Sequence, residues 1–425
     1  MINPLIQFLE NSYTAYHAVE NAKAFLLENG FTALSETEDW TLEENGRYFV
    51  ERNGSALIAF TVGNLDEFSY KLVAAHTDSP ALKLKDNALM RANGYDKLNV
   101  EKYGGMLLYS YLDRPLKIAG RVIMRENGVL KAKTVLSDYT VSIPSLAIHM
   151  NRNANDGLTL NAQTDMLPLL ALSGADEKES YLSSLTGGEV ISYDLYAVNA
   201  DAPYAFGLRN EFVASPRVDD LASVYASLAA LVSHEKSNGI SVAVCLDNEE
   251  VGSRSPQGAD SEFLGKTLKR IAFSLKFDEM EYYKALASSF MISLDNAHAL
   301  HPNHPEKADP TNKPVLGGGV VIKAHAQKAY VTDAMSAAIL KTVFDGADVK
   351  YQTFYNRSDM PSGSTLGSLS QSHVDILSVD VGLPQLAMHS ACECFAKADY
   401  AELLSGLTAF YSANLTLSED GWKIS

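Results

Sequence analysis

The residues best suited to chemistry in this sequence are acidic residues and histidines that follow apolar stretches or begin a helical pattern. They are His76-Thr77-Asp78, Asp219-Asp220, Asp247-Asn248-Glu249-Glu250 and Met388-His389, with Asp295 as a fifth candidate. One sheet can bring such positions to a single edge. The set His, Asp, Glu, Asp and His mixes nitrogen and oxygen ligands as zinc, cobalt or manganese accept, and two ions need a bridging carboxylate. The sequence therefore predicts a two-metal hydrolase site.

Two of these segments also have ordinary structural explanations. His76 and Asp78 are two residues apart, so in an extended strand they share a side. Asp78 can then hold one imidazole nitrogen while the other faces a metal, but a buried histidine bonded to a loop aspartate has the same spacing. Asp219 and Asp220 are equally typical of a helix N-terminus stabilised by the helix dipole.

The remaining acidic pair is more informative. Glu249 and Glu250 follow the buried-type run Val242 to Leu246, and adjacent carboxylates there repel unless a cation or a proton offsets them. Since neighbours on a chain point apart, one can ligate a metal while the other reaches a metal-activated water. A solvated acidic loop is the alternative, and His389 taken alone is more typical of a core histidine.

Three further patterns are weaker candidates for chemistry. His298, His301 and His304 recur at a spacing of three, but prolines interrupt the helix that would align them, which favours loop or pocket-wall roles. The run Gly317 to Gly319 lacks the Lys-Ser/Thr of a phosphate loop and predicts a turn before a strand. The serines on either side of Gly363 lack the strand-to-helix elbow of a serine nucleophile.

The elements that position these residues alternate between helix and strand. An amphipathic helical pattern covers residues 4–29, and strand-like runs then lead into His76. Residues 85–205 are β-type, with Leu107 to Leu112 among the predicted strands, and helix and strand patterns alternate again afterwards. We expect an α/β fold in which a mixed sheet flanked by helices holds the metals. Residues 1–84 and 206–425 form the split catalytic domain, and 85–205 an inserted β-rich dimerisation or lid domain.

Composition narrows the class of protein. The chain has 425 residues, 46% of them hydrophobic, and no run approaches the roughly 18 apolar residues of a membrane span. Its net charge of −17 argues against nucleic acid or an anionic membrane as a partner, because both require a basic face. Three cysteines form no disulfide framework, and no signal-type segment starts the sequence. These features favour the cytoplasm.

Several short blocks, in the same order along nearly the whole chain, resemble those of the aspartyl aminopeptidases. These are cytosolic di-zinc exopeptidases that remove N-terminal Asp or Glu. The matching blocks are Tyr16-His17-Ala18-Val19, Ala75-His76-Thr77-Asp78-Ser79-Pro80, Tyr103-Gly104-Gly105, Leu146-Ala147-Ile148-His149, Pro216-Arg217-Val218-Asp219, Asp247-Asn248-Glu249-Glu250-Val251-Gly252-Ser253, His301-Pro302-Asn303 and Pro384-Gln385-Leu386-Ala387-Met388-His389-Ser390. Residues 324–329 depart from the family pattern, and Ser362 stands where that pattern has Cys.

The resemblance implies a role for each candidate residue. Asp219 bridges two divalent ions, most simply zinc, with cobalt or manganese as alternatives. His76 and Asp295, and Glu250 and His389, complete the two ligand sets. Glu249 is the general base and acid, and Asp78 supports it in catalysis. The peptide bond after Asp219 is expected to be cis.

The resemblance also implies how substrate is recognised. Lys323 and Tyr330 meet the acidic side chain of the substrate, and His149 reaches into the site of a neighbouring subunit. A homo-oligomer follows, at least a dimer through the inserted domain and as large as a dodecamer. The alternatives are an amidohydrolase or deacylase on the same scaffold, which would not require a free N-terminus, and a non-catalytic scaffold protein, which would have a disrupted ligand set.

Overall fold

The computed structural model describes residues 2–174, 181–186, 190–235 and 237–425. Its helices are α1 (Ile2–Asn11), α2 (Ala15–Glu28), α3 (Tyr181–Thr186), α4 (Val218–Ser233), α5 (Phe263–Ser274), α6 (Glu279–Ala287), α7 (Ala334–Gly346), α8 (Leu366–His373) and α9 (Lys397–Ser412). Short 3-10 helices cover Leu108–Tyr111, Glu249–Val251 and Pro305–Lys307. None of the helices within these ranges has the length and apolarity needed to cross a membrane.

The strands make up four sheets. In chain order they are β1 (Thr32–Leu34), β2 (Arg47–Arg52), β3 (Ala56–Val62), β4 (Tyr70–His76), β5 (Ala81–Ala92), β6 (Tyr95–Tyr103), β7 (Leu116–Glu126), β8 (Val129–Leu136), β9 (Leu169–Leu172), β10 (Val190–Asn199), β11 (Tyr204–Phe206), β12 (Phe212–Ser215), β13 (Ile240–Leu246), β14 (Phe290–Leu294), β15 (Ala297–His298), β16 (Val320–Lys323), β17 (Tyr351–Phe354), β18 (Leu377–Gly382), β19 (Pro384–Leu386), β20 (Glu393–Ala396), β21 (Leu415–Ser418) and β22 (Gly421–Ile424).

The largest sheet is mixed and has nine strands in the order β1-β2-β3-β13-β4-β14-β18-β16-β17. At its centre β13, β4, β14 and β18 run parallel. The carboxyl ends of parallel strands meet at one edge of a sheet. His76 ends β4, Asp247 follows β13 and Asp295 follows β14. The expectation that one sheet edge gathers these segments is therefore confirmed.

Helices cover both faces of this sheet, because its central strands are apolar on both sides. Val73 and Ala75 of β4 pack into one core cluster, together with residues of α1, α2, α4, α7 and α9. Leu72 and Ala74 alternate with them and pack into a second cluster, with residues of α5, α6 and α8. The period of two along each strand separates the two clusters.

An inserted β-rich sheet lies between β4 and β12 in the chain. Its six antiparallel strands have the order β8-β7-β10-β5-β6-β9 and surround their own apolar cluster. The strand predicted at Leu107 to Leu112 was wrong, because Leu108–Tyr111 is a 3-10 helix. The Ser110 hydroxyl donates to the Leu107 carbonyl over 2.6 Å, which turns the chain back on itself.

A third sheet, which the sequence patterns did not indicate, has the order β11-β12-β20-β19-β15. Its strands β15 and β19 contain two and three residues, too few for a period of two to be visible. β19 and β20 flank the segment that contains His389. This small sheet therefore fixes the last metal-ligand candidate against the nine-stranded sheet.

Candidate metal centre

His76 lies at the end of β4 with both ring nitrogens facing acceptors, and it is 2% exposed. Its Nε2 is 3.5 Å from Asp219 Oδ1. Its Nδ1 is 3.0 Å from the carbonyl oxygen of Asp78 and 3.4 Å from Asp78 Oδ1. Asp78 is therefore beside the imidazole, as the i, i+2 spacing predicts, but its backbone oxygen is the closer acceptor. The nitrogen left for a metal is Nε2.

Asp219 occupies the centre of the site at the start of α4. The backbone angles of Asp219 and Asp220 are not helical, and the peptide bond between them is cis, as the family resemblance implied. The Asp219 N–H donates to Glu393 Oε2 over 2.9 Å, and the Ser79 hydroxyl donates to the Asp219 carbonyl over 2.7 Å. These contacts fix the backbone of Asp219 while its carboxylate stays free.

Two groups of ligand-type side chains share Asp219. In the first, atoms of His76, Asp219, Asp220 and Asp295 lie within 4.8 Å of one another. In the second, atoms of Asp219, Glu250 and His389 meet the same limit. His389 Nε2 is 3.3 Å from Glu250 Oε1 and 3.7 Å from Asp219 Oδ2. One carboxylate thus adjoins both groups, the arrangement that a bridged pair of ions needs.

Asp220 is the member of these groups that sequence reasoning did not assign as a ligand. Its Oδ2 accepts a hydrogen bond from the backbone N–H of His76 over 3.2 Å. Its other oxygen, Oδ1, is buried without a hydrogen-bond partner. The adjacent pair Asp219-Asp220 was visible in the sequence, but the contact of the second carboxylate with the His76 N–H was not.

Glu249 and Glu250 stand in a 3-10 turn after β13, held by Asp78. The Glu249 N–H donates to Asp78 Oδ1 over 3.1 Å, and the Glu250 N–H donates to Asp78 Oδ2 over 3.2 Å. The Tyr103 hydroxyl donates to the same Oδ2 over 2.8 Å and accepts from Asn248 Nδ2 over 2.8 Å. Asp78 therefore positions the acidic pair as well as His76.

Glu393 is a positioning residue that sequence reasoning missed. Its side chain is 2% exposed and accepts from the backbone N–H groups of Asp219 (2.9 Å) and His389 (2.7 Å). One carboxylate thus ties the backbone of Asp219 to that of His389, although Glu393 lies 174 residues after Asp219. No spacing in the sequence indicates this contact, since the two segments meet only in the folded chain.

The inserted sheet reaches the site through Gly104 and Gly105. Gly104 has a φ of +78°, and a Cβ there would lie 3.1 Å from the Cβ of Glu250. The Gly105 carbonyl is 3.2 Å from Nδ1 of His389, which leaves Nε2 of that ring directed at the acidic residues. Two glycines in sequence were the available signal, because close backbone approach is a common reason for glycine.

The buried acidic side chains of the site favour a bound cation. Oδ1 of Asp219 and Oε1 of Glu250 are buried atoms without hydrogen-bond partners, and buried carboxylate oxygens are costly unless they are paired or coordinate a metal. Burial raises the pKa of Asp295 to about 6, and the charge of Asp219 adds to the effect. Burial likewise raises the pKa of Glu249 to about 8, with Asp295 and Asp78 contributing. The donor set of imidazole and carboxylate fits zinc or a similar divalent ion.

A cavity of about 270 Å³ opens onto these ligands. Glu249 and Tyr330 line it, as does Lys323, which is the single lysine or arginine among its described lining residues. Lys323 is 3% exposed, and its Nζ donates to the carbonyls of Asp295 (2.7 Å) and Asn296 (3.2 Å). An ammonium has three donors, so one donor remains beyond these two bonds.

His149 lies outside this cavity. It is exposed in an irregular segment of the inserted region, next to exposed Ile148 and Met150. His298 lines the metal cavity, and His301 and His304 line an adjacent cavity of about 230 Å³, which agrees with pocket-wall roles.

A mixed sheet whose strand ends bring together buried His, Asp and Glu side chains around one shared carboxylate defines a metal-dependent hydrolase. Comparison with known proteins narrows this class. Residues 8–411 match the family described as Aminopeptidase I zinc metalloprotease (M18). A probable M18 family aminopeptidase 2 of Clostridium novyi is 43% identical over 424 residues, which cover 96% of this chain and 98% of that protein. Its counterpart in Pseudomonas fluorescens is 40% identical over 425 residues, covering 96% and 97%.

Solved structures agree with this assignment. The S. cerevisiae mApe1 dodecamer matches with a TM-score of 0.82 at 26% identity, covering 96% of this chain and 95% of that one. A chain of the Ape4 and Nbr1 complex matches with a TM-score of 0.91 at 33% identity, covering 96% and 85%. This chain belongs to the M18 family of metallo-aminopeptidases, and the resemblance to the aspartyl aminopeptidases is confirmed.

Proposed function

We propose that this aminopeptidase binds two divalent ions and releases N-terminal Asp or Glu from peptides. The observation that supports the acidic preference is Lys323, a buried cation in the wall of the metal cavity of a chain whose net charge is −17. A substrate carboxylate needs such a local positive charge, because the surroundings are acidic. Tyr330 stands next to it, with Lys323 Nζ 5.2 Å from the centre of the Tyr330 ring.

The ions are assigned to the two groups that share Asp219. His76 and Asp295 would hold one ion together with Asp219, and Glu250 and His389 would hold the other. Zinc is the first choice, with cobalt or manganese as alternatives. When bound, two such ions supply Lewis acidity to the scissile carbonyl and to the attacking water. Asp78 orients both His76 and the Glu249-Glu250 turn through the contacts described above.

Glu249 is proposed as the general base and acid. It lines the cavity without serving in either ligand group, and burial raises its pKa to about 8. A base with a pKa near the working pH accepts the proton of water efficiently and can return it to the leaving nitrogen. Bound cations would lower this pKa, so the carboxylate form dominates at neutral pH.

We further propose that the active enzyme is a homo-oligomer, with residues 85–205 as an inserted dimerisation domain between the catalytic segments 1–84 and 206–425. Leu146, Ile148 and Met150 are exposed around His149, an apolar patch typical of a protein–protein contact. One structural relative is a dodecamer. His149 would then enter the site of a neighbouring subunit and stabilise the oxyanion of the reaction.

A cytoplasmic setting is also proposed. Cys245, Cys392 and Cys394 are free thiols, and thiols persist in reducing compartments. Peptides with a free acidic N-terminus are the proposed substrates, and nucleic acid and membranes are not proposed as partners.

Turnover of a panel of aminoacyl substrates, free and N-acetylated, tests this function. The expected result is fast release of Asp or Glu from free substrates, no release from acetylated ones, and loss of activity on metal removal with recovery on adding zinc. Turnover of acetylated substrates would instead identify an amidohydrolase or deacylase. A protein that binds metal but turns over none of them would be a non-catalytic scaffold.

A further inference from the structure

Asp380 is a fully buried carboxylate that belongs to neither metal group. It lies in β18 directly opposite Lys323 of the neighbouring antiparallel strand β16. A buried carboxylate is costly unless hydrogen bonds satisfy its oxygens. The partners of Asp380 therefore reveal what this carboxylate holds in place.

Both carboxylate oxygens accept hydrogen bonds from loops beside the metal cavity. The Val331 N–H donates to Oδ2 over 2.5 Å, and the Thr365 hydroxyl donates to Oδ1 over 2.7 Å. The backbone N–H of Asp380 donates in turn to the Thr332 hydroxyl over 2.9 Å. The two loops are more than thirty residues apart in sequence, at positions 331–332 and 365, and Asp380 is a common anchor.

Both anchored loops contribute to the wall of the metal cavity. Tyr330, which precedes Val331, lines the cavity, and so do Gly363, Ser364 and Thr365. Both wall segments are thus hydrogen-bonded to one side chain that itself does not line the cavity.

Asp380 also stands beside Lys323. The two residues are directly paired across the antiparallel strands β18 and β16, so their side chains leave the same face of the sheet. Lys323 Nζ is 3.7 Å from Asp295 Oδ1 and donates to the Asp295 carbonyl. Asp380 is therefore the cross-strand neighbour of the cation proposed to meet acidic substrates.

We propose that Asp380 is a positioning residue for the part of the metal cavity around Lys323 that selects acidic N-terminal residues. It does so by fixing Lys323 and both wall loops in one geometry. This inference rests on the proposed acidic preference. It adds that selectivity depends on a carboxylate outside both the metal groups and the cavity lining.

The variant Asp380→Asn tests the proposal, because an amide keeps the shape, removes the charge beside Lys323 and forces the Thr365 hydroxyl to accept where it now donates. We expect kcat/KM for Asp and Glu substrates to fall about 10- to 100-fold, mainly through KM, with Ala and Leu substrates much less affected. Bound metal per chain should match the wild type. Thr365→Val, which removes one anchor and no charge, should give a smaller loss of the same kind.

A matched control is Asp399→Asn. Asp399 is also a buried carboxylate with two backbone donors, Gly317 (2.7 Å) and Gly319 (2.8 Å), but it holds a turn that does not line the cavity. The Asp399→Asn variant should leave the ratio of kcat/KM for Asp and Glu substrates to kcat/KM for Ala and Leu substrates unchanged.

An equal loss on every substrate, or loss of metal, in both Asp380→Asn and Thr365→Val would reduce Asp380 to a structural residue and overturn the inference alone. Wild-type enzyme without any acidic preference would overturn the proposed function, and this inference with it.

Discussion

At the scale of single residues, the site separates ligands from the residues that aim them. His76, Asp219 and His389 present free ring or carboxylate atoms to one another, whereas Asp78 and Glu393 use their oxygens on backbone N–H groups. Fixed backbone around free carboxylates is a preorganised arrangement, in which the proposed ligands would not need to move to bind an ion. Glu249 differs from both sets, because its carboxylate lines the cavity without a place in either ligand group.

The role of Glu249 leads to a prediction about Glu249→Gln. This variant should keep both ions and lose turnover by about 10²- to 10⁴-fold, since the amide cannot take a proton from water. Metal analysis alongside steady-state kinetics is the measurement. Asp219→Ala serves as the contrast, because it removes the carboxylate shared by both groups and should lose metal. Near-normal turnover of Glu249→Gln would reassign the base.

A second residue-scale prediction concerns Lys323→Met, which keeps the length of the buried stem and removes the charge. We expect kcat/KM to fall about 10- to 100-fold for Asp and Glu substrates and far less for Ala or Leu. Because Nζ also bonds the carbonyls of Asp295 and Asn296, metal content must be measured in the same samples. A loss that is uniform across substrates and accompanied by metal release would assign Lys323 to the support of Asp295 instead.

At the scale of elements, the junction of α1 and α2 packs beneath the segment that leads to Asp219. The Arg217 guanidinium donates to the carbonyls of Asn199 (2.9 Å) and Leu9 (3.4 Å) and lies 5.2 Å from the ring centre of Tyr13. His17, at the start of α2, has its Nδ1 2.9 Å from the Thr14 hydroxyl. Helix, inserted sheet and metal-ligand segment thus share one buried contact region.

This region predicts a pH dependence of stability. Burial, with the charge of Arg217, lowers the pKa of His17 to about 4, against about 6.5 in the unfolded chain. Between these values the unfolded chain binds the proton first, so the free energy of unfolding falls as pH drops from about 6.5 to 4, by at most about 1.4 kcal/mol per pH unit. His17→Gln should therefore lose less Tm than the wild type between pH 7 and pH 5.

The control for this prediction is His373→Gln, which should change the pH dependence in the opposite direction. A hydrogen bond to Asp260, with a second to Glu262, raises the pKa of His373. Its contribution to stability is full below the unfolded pKa and is lost as pH rises through the folded value. Removing it should steepen the acid loss of Tm only slightly, because its partners Asp260 and Glu262 are 36% and 60% exposed and solvent screens both ion pairs. Parallel Tm curves for wild type and His17→Gln would contradict the assignment of His17.

At the scale of the whole molecule, the inserted region has one contact with the candidate site and one exposed apolar surface. Through Tyr103, Gly104 and Gly105 it touches the metal-ligand residues of its own chain. Through the exposed segment around His149 it presents apolar side chains to solvent. A second subunit on that surface would bury the apolar patch and bring an imidazole toward another chain's cavity.

Mixed oligomers test this arrangement. Glu249→Gln and His149→Ala subunits should each be nearly inactive alone, and dissociating and reassembling them together should restore part of the activity. Recovery is expected because some sites then combine an intact Glu249 with an intact His149 from the neighbour. Reassembled mixtures without recovery, or an active monomer, would exclude donation between subunits. A mixture of Glu249→Gln subunits with Asp219→Ala subunits is the control for subunit exchange. It should show no recovery, because each variant lacks a residue that every subunit must supply to its own site.

The sequence by itself determined the class of fold and predicted which residue types would meet at the candidate site. Local patterns are sufficient for this, because a buried strand such as Ile240–Leu246 is apolar apart from Ser241 and acidic residues follow it directly. The sequence patterns misassigned the 3-10 helix at Leu108–Tyr111 as a strand and missed the short strands β15 and β19. Runs of two to four residues contain too few positions for a period to be visible.

Only the tertiary structure decided which side chains aim the ligands. Glu393 joins Asp219 to His389, and Asp380 joins Val331 to Thr365. The hydrogen bonds from Asp219 to Glu393 and from Val331 to Asp380 close loops of 174 and 49 residues, and contacts between segments so far apart leave no periodicity or spacing in the sequence. The sequence contains many acidic residues. Glu393 and Asp380 became positioning residues because folding buried them beside backbone N–H groups that needed an acceptor, and that is a property of the packed chain.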